Sequence, residues 1–600
     1  MTANLFDYFE DVREHDEEPA LWAARAPRRP HRRIDVKLVP RAANWREDPL
    51  ALAALERIER EPWVAEMAAN GDGVGIRLSD SWIETAGAAL EAGGSAEATL
   101  SDLAHGRRYS VQFWDANATK ALHVGHLRNL ATGNAVAAAL AQAGGQVERR
   151  SLISDAGRSM GEAMAGVLSS GRHARSWPDG DEKSDHFVGL CYADYVAAST
   201  SVGEAELEHP EDSLTRELTL RGDEADELLK RVLAGDREAL ELWYKTRAWV
   251  IAGQRKTLAR LGVAFDRVFF ESDFLAEAAQ LTASGLRDGR LRRREDGVVV
   301  YTTGLADFEE FPLVRADGLP TQHMRALAYW MAAPELGDVI SMQVCGTEWV
   351  SHVTCRRKLM NELLGGNGGG NGWWGPVEVE GGEGTAGREG AAGHGAAGEN
   401  GNGAGNGHGP GSGYVGMHPT HDIFNGMVAR QKRALASSEG ALLIDELTEW
   451  IDERIDADAE GHEVRRNHPA PERIAAQVAL GYFLPHPVAP RIDFEPERLL
   501  RGRESLGWDL ARAQAHRRVR EGRGGTPAED PDYRFAVVQS ELYRRYLRLA
   551  ADRFDVRPLA HYLKHLARWH LERERSEHVE RVVRTLLERS GRGLGLETAR

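Results

Sequence analysis

NATKALHVGHLRNL, residues 117–130, is the stretch on which the reading of this chain turns. It follows a strand-like run, RRYSVQFWDA (107–116), and opens a long Ala-rich helix, HVGHLRNLATGNAVAAALAQAGG, that stops at Gly144-Gly145. The next run, QVERRSLISD, is again strand-like. Strand, helix and strand at this spacing make a βαβ unit and hence a parallel sheet. His123 and His126 fall on one face at the start of the helix, with Lys120 one turn upstream. A metal site, a packed core pair and a phosphate-handling device all remain open for such a pair. Zinc would need a third ligand, and no H-E-x-x-H or companion carboxylate follows at useful spacing. The first turn of a helix has unpaired N–H groups and the positive end of the dipole, which suits an anion. Gly125 has no side chain, so another group can approach the backbone closely. Two imidazoles and an ammonium there could donate to a triphosphate and to the charge that develops as pyrophosphate leaves. The stretch reads as a phosphate device.

The rest of the composition bounds what surrounds it. A chain of 600 residues is too long for one core, so about three or four domains are expected. An apolar fraction of 42% suits a soluble globular protein, and no run approaches the roughly 18 apolar residues of a membrane span. The opening MTANLFDYFEDVREHDEE is acidic where a signal peptide would be basic and then apolar, so a cytoplasmic location is expected, with no membrane partner. Cys191, Cys345 and Cys355 are too few and scattered for a disulfide frame or a Cys-based zinc site, and no protein motif for a metal is found. The net charge of −17 argues against indiscriminate coating of nucleic acid. It is uneven: residues 465–600 hold 27 Arg and Lys against 19 Asp and Glu, a balance of +8, which leaves −25 for the remainder. A basic end could hold a nucleic acid, or could be a solvated, salt-bridged helical surface.

Residues 1–105 read as a small mixed unit. PLALAALERIEREPWVAEMAA has helical spacing, and VGIRLSDSWIETAGAAL is a strand followed by a capped helix. Residues 106–364 form the α/β unit, with a mostly helical insertion over 160–262. Its sheet is expected to resume with FDRVFF, GVVVYTT, FPLVR and DVISMQVCG. Residues 365–413 hold 22 glycines in 49 positions and are expected to be a flexible surface insertion. Residues 414–464 return to ordered structure, and 465–600 are helical and Arg-rich.

HVGH after a strand, preceded by NATKAL, resembles the HIGH signature of class I aminoacyl-tRNA synthetases, and more closely the pattern of the arginyl-tRNA synthetase family. VGIRLSDSWI is similar to the end of that family's N-terminal tRNA-contacting domain. GDREALELWYKTRAWVIAGQRKTLARLGVAFDRVFFES resembles its helical insertion and following strand. GMVARQKRALASSEGALLIDELTEWI lies where its KMSKS loop belongs, and GWDLARAQAHRR with ELYRRYLRLAADRFDV resembles its all-helical anticodon-binding domain. The resemblance implies a Rossmann-like α/β catalytic domain, a small α+β N-terminal domain and an all-α C-terminal bundle. It implies ligase activity: ATP-dependent formation of an aminoacyl adenylate and transfer to tRNA, with ATP, Mg2+, an amino acid and tRNA as partners of a monomer. His123, Gly125 and His126 match the ATP signature. Asn117 matches an asparagine that holds the amino acid, Asp155 the aspartate of the next strand, and Glu271 a carboxylate that pairs with the guanidinium of arginine. Lys120 matches a lysine kept where the KMSKS loop is degenerate. With nine lysines against 66 arginines in the chain, a lysine here suggests need for a compact charge.

The departures are specific. In place of K-M-S-S-R-K-G stands Ala434-Leu435-Ala436-Ser437-Ser438-Glu439-Gly440, with Lys432 and Arg433 just before it as the cations that could compensate. In GLPTQHMRALA (318–328), Gln322 stands for the family's tyrosine and Ala326 for its aspartate. Trp349 stands where glutamine is usual. The expectation is slower activation, and a pocket that takes something other than arginine, or arginine poorly. Three functions stay open: a diverged synthetase, a paralogue that delivers its acyl group to a non-tRNA acceptor, and a non-catalytic tRNA- or partner-binding protein.

Overall fold

A computed structural model describes Leu5, Leu218 and residues 22–40, 44–92, 103–104, 106–171, 182–199, 222–305, 308–332, 339–363, 420–425, 428–430, 433–434, 442–488, 491–516 and 526–596. The Gly-rich stretch 365–413 lies outside them.

The N-terminal part is built from β1 (Trp22–Arg25), β2 (Val36–Pro40), α1 (Pro49–Glu59), β3 (Val64–Asn70), β4 (Gly73–Leu78) and α2 (Asp80–Glu91). The strands form one antiparallel sheet in the order β1-β2-β4-β3. Asp48 caps α1 by accepting from Leu50 N, and Ser79 caps α2 by accepting from Trp82 N. The helical pattern expected from Pro49 onward ends at Glu59, and Val64–Asn70 is a strand instead. Gly71, at φ +59°, closes a tight hairpin, and pairing with β4 overrides the local preference.

The central layer is a five-stranded, wholly parallel sheet in the order β12-β11-β5-β6-β7. In chain order it runs β5 (Arg108–Gln112), α3 (Val124–Gln142), β6 (Gln146–Ile153), α4 (Arg158–Ser169), α5 (Ser184–Ser199), α6 (Glu224–Leu233), α7 (Arg237–Leu261) and β7 (Arg267–Phe270). The βαβ unit expected around HVGH is therefore present. α3 lies directly on the sheet: a Cβ at Gly133 would meet Phe113 side-chain atoms at 2.2 Å. Beyond β7 come α8 (Leu275–Arg287), β8 (Leu291–Arg293), β9 (Val299–Leu305), β10 (Phe308–Val314), α9 (Gln322–Ala332), β11 (Val339–Gly346), α10 (Val350–Leu363) and β12 (Thr420–Asn425). One expectation fails here. GVVVYTT and FPLVR do not extend the parallel sheet; they form a separate antiparallel sheet, β10-β9-β8. Short hairpin connections allow antiparallel pairing, which a parallel insertion would not.

After the short strands β13 (Val428–Arg430) and β14 (Arg433–Ala434) the described chain is helical. It runs through α11 (Ile444–Ala457), α12 (Ala459–Asn467), α13 (Ile474–Phe483), the two-residue β15 (Ile492–Asp493), α14 (Leu506–Ala515), α15 (Pro531–Arg553), α16 (Arg557–Leu571) and α17 (Glu577–Gly593). One apolar cluster runs from Val36, Ile58 and Ile76 through Leu127 and Leu130 to Leu563 and Leu586. Buried Arg534 of α15 ties the two ends: Nε donates to Asp35 at 3.0 Å, Nη1 to Asp80 at 2.6 Å and Nη2 to Leu78 O at 2.6 Å. Among the described residues no helix is long and apolar enough to cross a membrane, and the three cysteines are buried and form no disulfide there.

Candidate active site

The site is assembled at the C-terminal ends of the parallel strands, where the order of connections reverses on either side of β5. His123 is the N-cap of α3, and its Nδ1 accepts from Gly125 N at 3.1 Å. His126 Nδ1 accepts from His123 N at 3.2 Å, so the two rings lie with centroids 3.9 Å apart. Burial, then the neighbouring ring and Lys120, holds His123 well below its usual pKa. Burial and Lys120 lower His126 to about 3. Both imidazoles are neutral at pH 7. With Nδ1 accepting in each, the proton resides on Nε2, which makes each ring a donor through that nitrogen. Gly125 is required by this packing, because a Cβ there would sit 2.9 Å from His123 ring atoms.

Two flanking segments hold the turn. Gln254 of α7 donates through Nε2 to Asn117 O at 3.1 Å and Lys120 O at 2.8 Å. On the other side, Val124 N donates to Leu442 O at 3.0 Å and Ile444 N to Leu122 O at 3.1 Å. The segment that leads into α11 is thus hydrogen-bonded to HVGH itself. Lys432 and residues 435–441, where the altered loop falls, lie outside the described residues. Arg433 begins β14.

The acids at the strand ends differ in their partners. Asp155, fully buried beyond β6, accepts from Arg247 Nη1 at 2.7 Å, Ser272 Oγ at 2.7 Å and Ser272 N at 2.9 Å. Arg247 in turn lies over the Phe270 and Trp243 rings at 4.4 and 4.7 Å. Glu271, 2% exposed beyond β7, accepts on Oε2 from Ser154 Oγ at 2.9 Å and from Arg325 Nε at 2.7 Å. Asp422 of β12 is paired with Arg357 at 2.5 Å. Asp115, beyond β5, accepts from Gln112 Nε2 at 3.0 and 2.9 Å, from Gln343 Nε2 at 2.9 Å and from Leu152 N at 3.3 Å. Gln322 and Ala326 stand on the first turns of α9 beside Arg325; Gln322 is half-buried and Ala326 buried. Asn117 is drawn to the same edge by a bridge to Ser154.

One described group has metal-ligand spacing: Asp185, His186 and Asp445, with candidate ligand atoms within 4.8 Å of one another. It is already filled by a side chain. Lys183 Nζ lies 3.0 Å from Asp185 Oδ2 and 2.6 Å from Asp445 Oδ2, and donates to Thr257 Oγ1 at 2.5 Å. These donors do not fit a divalent ion, because an ammonium occupies its place.

The structure brings together His123, Gly125, His126, Lys120, Asn117, Asp155, Glu271, Gln322 and Ala326 around one edge of the sheet. Sequence reading did not single out Asp115, Arg325, Arg247, Gln254 or the Lys183–Asp445 pair. Only Asp115 had a local signal, an acid two residues before Asn117 at a strand end.

The βαβ connection through α3 and the HVGH turn fall within the segment that matches a known family. Residues 95–318 match the family described as tRNA synthetases class I (R), catalytic domain. Similar curated relatives are the arginine–tRNA ligase of Borrelia turicatae, 28% identical over 262 residues that cover 42% of each chain, and that of Amoebophilus asiaticus, 33% identical over 216 residues that cover 35% of each. The matches therefore span less than half the length of these relatives. The fold is similar to that of Thermus thermophilus arginyl-tRNA synthetase, at TM-score 0.62 and 19% identity over 99% of both chains. It is also similar to the Plasmodium falciparum enzyme, at TM-score 0.58 and 12% identity over 99% of this chain and 97% of that one. Over residues 95–318 this chain is thus similar to the class I arginyl-tRNA synthetase catalytic domain, and its fold as a whole is similar to that of solved arginyl-tRNA synthetases.

Proposed function

We propose that this chain activates an amino acid with ATP, as an aminoacyl adenylate, and passes the acyl group to a tRNA. The observation that carries the reading is the pair of neutral histidines at the N-terminus of α3, each with Nδ1 engaged by a backbone N–H and so left with Nε2–H as its donor. In adenylate formation a substrate carboxylate oxygen attacks the α-phosphorus, a P–O bond to the β-phosphate breaks, and pyrophosphate leaves with the electron pair. No proton need move. The protein's task is to align the groups and to stabilise charge on the phosphate oxygens. Neutral imidazoles suit that task, since they donate hydrogen bonds without a change of protonation state. Gln254 and the segment 442–444 fix the turn from both sides, so the donors are preorganised. Mg2+ would enter with the triphosphate and offset part of its charge.

Acylation of tRNA as the second step is supported by the family of the catalytic domain and by the positive balance of residues 465–600. The amino acid is arginine or a relative of it. The experiment is ATP–pyrophosphate exchange against a panel of amino acids, with and without total tRNA, followed by an acceptor assay. Exchange together with acylated tRNA supports the reading. Exchange without tRNA acylation would indicate a different acceptor. ATP binding without exchange would make the chain a binding protein.

A further inference from the structure

Each acid at the open edge of the sheet can be asked what balances its charge. Beyond β6, Asp155 has Arg247; beyond β7, Glu271 has Arg325; on β12, Asp422 has Arg357. Glu348, beyond β11, turns Oε2 away from water and is opposed by Arg128. Asp115, beyond β5, is different. It is water-exposed, although Phe113, Trp114 and Ala116 around it are buried. Among the described residues its partners are two glutamine amides and one backbone N–H, all of them neutral. The cation that acts on it from farther off, Arg356, donates its Nη2 to Gln343 Oε1 at 2.5 Å instead.

The amides do more than solvate the acid. Gln112 reaches both carboxylate oxygens and Gln343 reaches Oδ2 from the neighbouring strand, so the group is oriented before anything arrives. A carboxylate held in place by neutral donors, open to water and with its nearest cation engaged elsewhere is complementary to an incoming cation. Its place in the chain narrows what that cation can be. Asp115 lies two residues before Asn117 and eight before His123, in the segment that joins β5 to the phosphate-handling turn.

We infer that Asp115 binds a cationic nitrogen of the amino-acid substrate. The inference rests on the activation reading above. Two nitrogens share this chemistry, the α-ammonium of any amino acid and a side-chain cation of a basic one.

The test uses the full-length protein and the amino acid that supports exchange. D115N removes the charge and keeps the shape. The expected result is at least a tenfold rise in KM for the amino acid, with KM for ATP within twofold of the wild type, and partial recovery of the amino-acid KM in D115E. The desamino analogue of the same amino acid, used as an inhibitor, separates the two sources. If the α-ammonium is bound, D115N leaves the analogue's inhibition constant unchanged; if the side chain is bound, it weakens the analogue as well. An amino-acid KM within twofold of wild type in D115N would overturn the assignment and leave the activation reading standing. A joint loss of ATP and amino-acid binding in both D115N and D115E would also overturn it, since that marks a structural role. Absence of exchange with every amino acid in the wild type, with and without tRNA, would overturn the activation reading and this assignment with it.

Discussion

Lys183 Nζ lies 2.6 Å from Asp445 Oδ2, and this contact couples the helices between β6 and β7 to the segment that pairs with HVGH. Asp445 also accepts from Thr257 Oγ1 at 2.9 Å and approaches His186 Nε2 at 3.2 Å. Despite burial, these donors lower its carboxyl to about 2. Removing one partner of a buried pair leaves the other charge uncompensated. K183M is expected to cost about 3 kcal/mol of stability in urea unfolding and to raise KM for ATP, because residues 442–444 lose their anchor. A K183M protein with wild-type unfolding and wild-type KM would show that the contact positions nothing.

His126→Ala removes one of the two imidazole donors and the cap on His123 N. The expected loss in ATP–pyrophosphate exchange is about 10²–10³-fold in kcat, the usual worth of one preorganised donor to a developing charge. Binding of tRNA, measured by filter retention, is expected to change less than threefold. Unchanged exchange would place adenylate chemistry elsewhere.

Lys120→Ala asks whether a single ammonium stands in for the altered loop. The backbone carbonyl of Lys120 is held by Gln254, so the fold survives loss of the side chain. A drop of about 10-fold or more in exchange is expected, visible in kcat rather than in KM for the amino acid. Full activity would transfer the role to Lys432 and Arg433.

Glu271→Gln is expected to act on stability before it acts on substrate binding. Glu271 and Arg325 are 2% and 1% exposed, so neutralising the acid strands a buried guanidinium. The cost is about 3–5 kcal/mol, read as a lower midpoint in chemical unfolding, with KM for the amino acid altered less than threefold in the folded fraction. A large KM effect with intact stability would mean that the substrate, and not Arg325, is the partner of Glu271.

The buried histidines set a pH dependence. Their ordinary pKa is 6.5, while His126 is lowered to about 3 and His352 to about 4, in each case chiefly by burial. Below pH 6.5 the unfolded chain binds protons that the folded chain refuses, so stability falls as pH falls. These groups exact no penalty above about pH 6.5, and the loss accumulates from there down toward pH 3. Asp445 adds to it between 3.8 and about 2. Thermal unfolding from pH 8 to pH 4 is expected to show a plateau above pH 6.5 and a steady decline below it. A midpoint that rises on acidification would contradict the neutral state of the pair.

The two readings that changed between sequence and structure share a cause. Val64–Asn70 has a periodicity compatible with a helix, and β9 and β10 have the apolar character of the central strands. Which partner each strand finds is set by backbone hydrogen bonds to distant or hairpin neighbours, and residue type carries little of that. The same limit applies to the site. HVGH, Lys120 and Asn117 are readable because they act within one strand-to-helix turn. The partners of the acids are not, since Arg325 lies 54 residues from Glu271, Arg247 lies 92 from Asp155, and Lys183 lies 262 from Asp445.

What the sequence by itself determined is therefore local: a capped α3 after β5, a glycine that leaves room beside two histidines at the helix start, and a helical end of positive balance. These follow from periodicity, capping and side-chain size over a few residues. Only the tertiary structure decided which acids were already neutralised and which was left open to a ligand. That choice depends on which arginine arrives beside which carboxylate once the chain has closed. An acid that no arginine of the protein contacts stays open to water, and a substrate cation can then take that place.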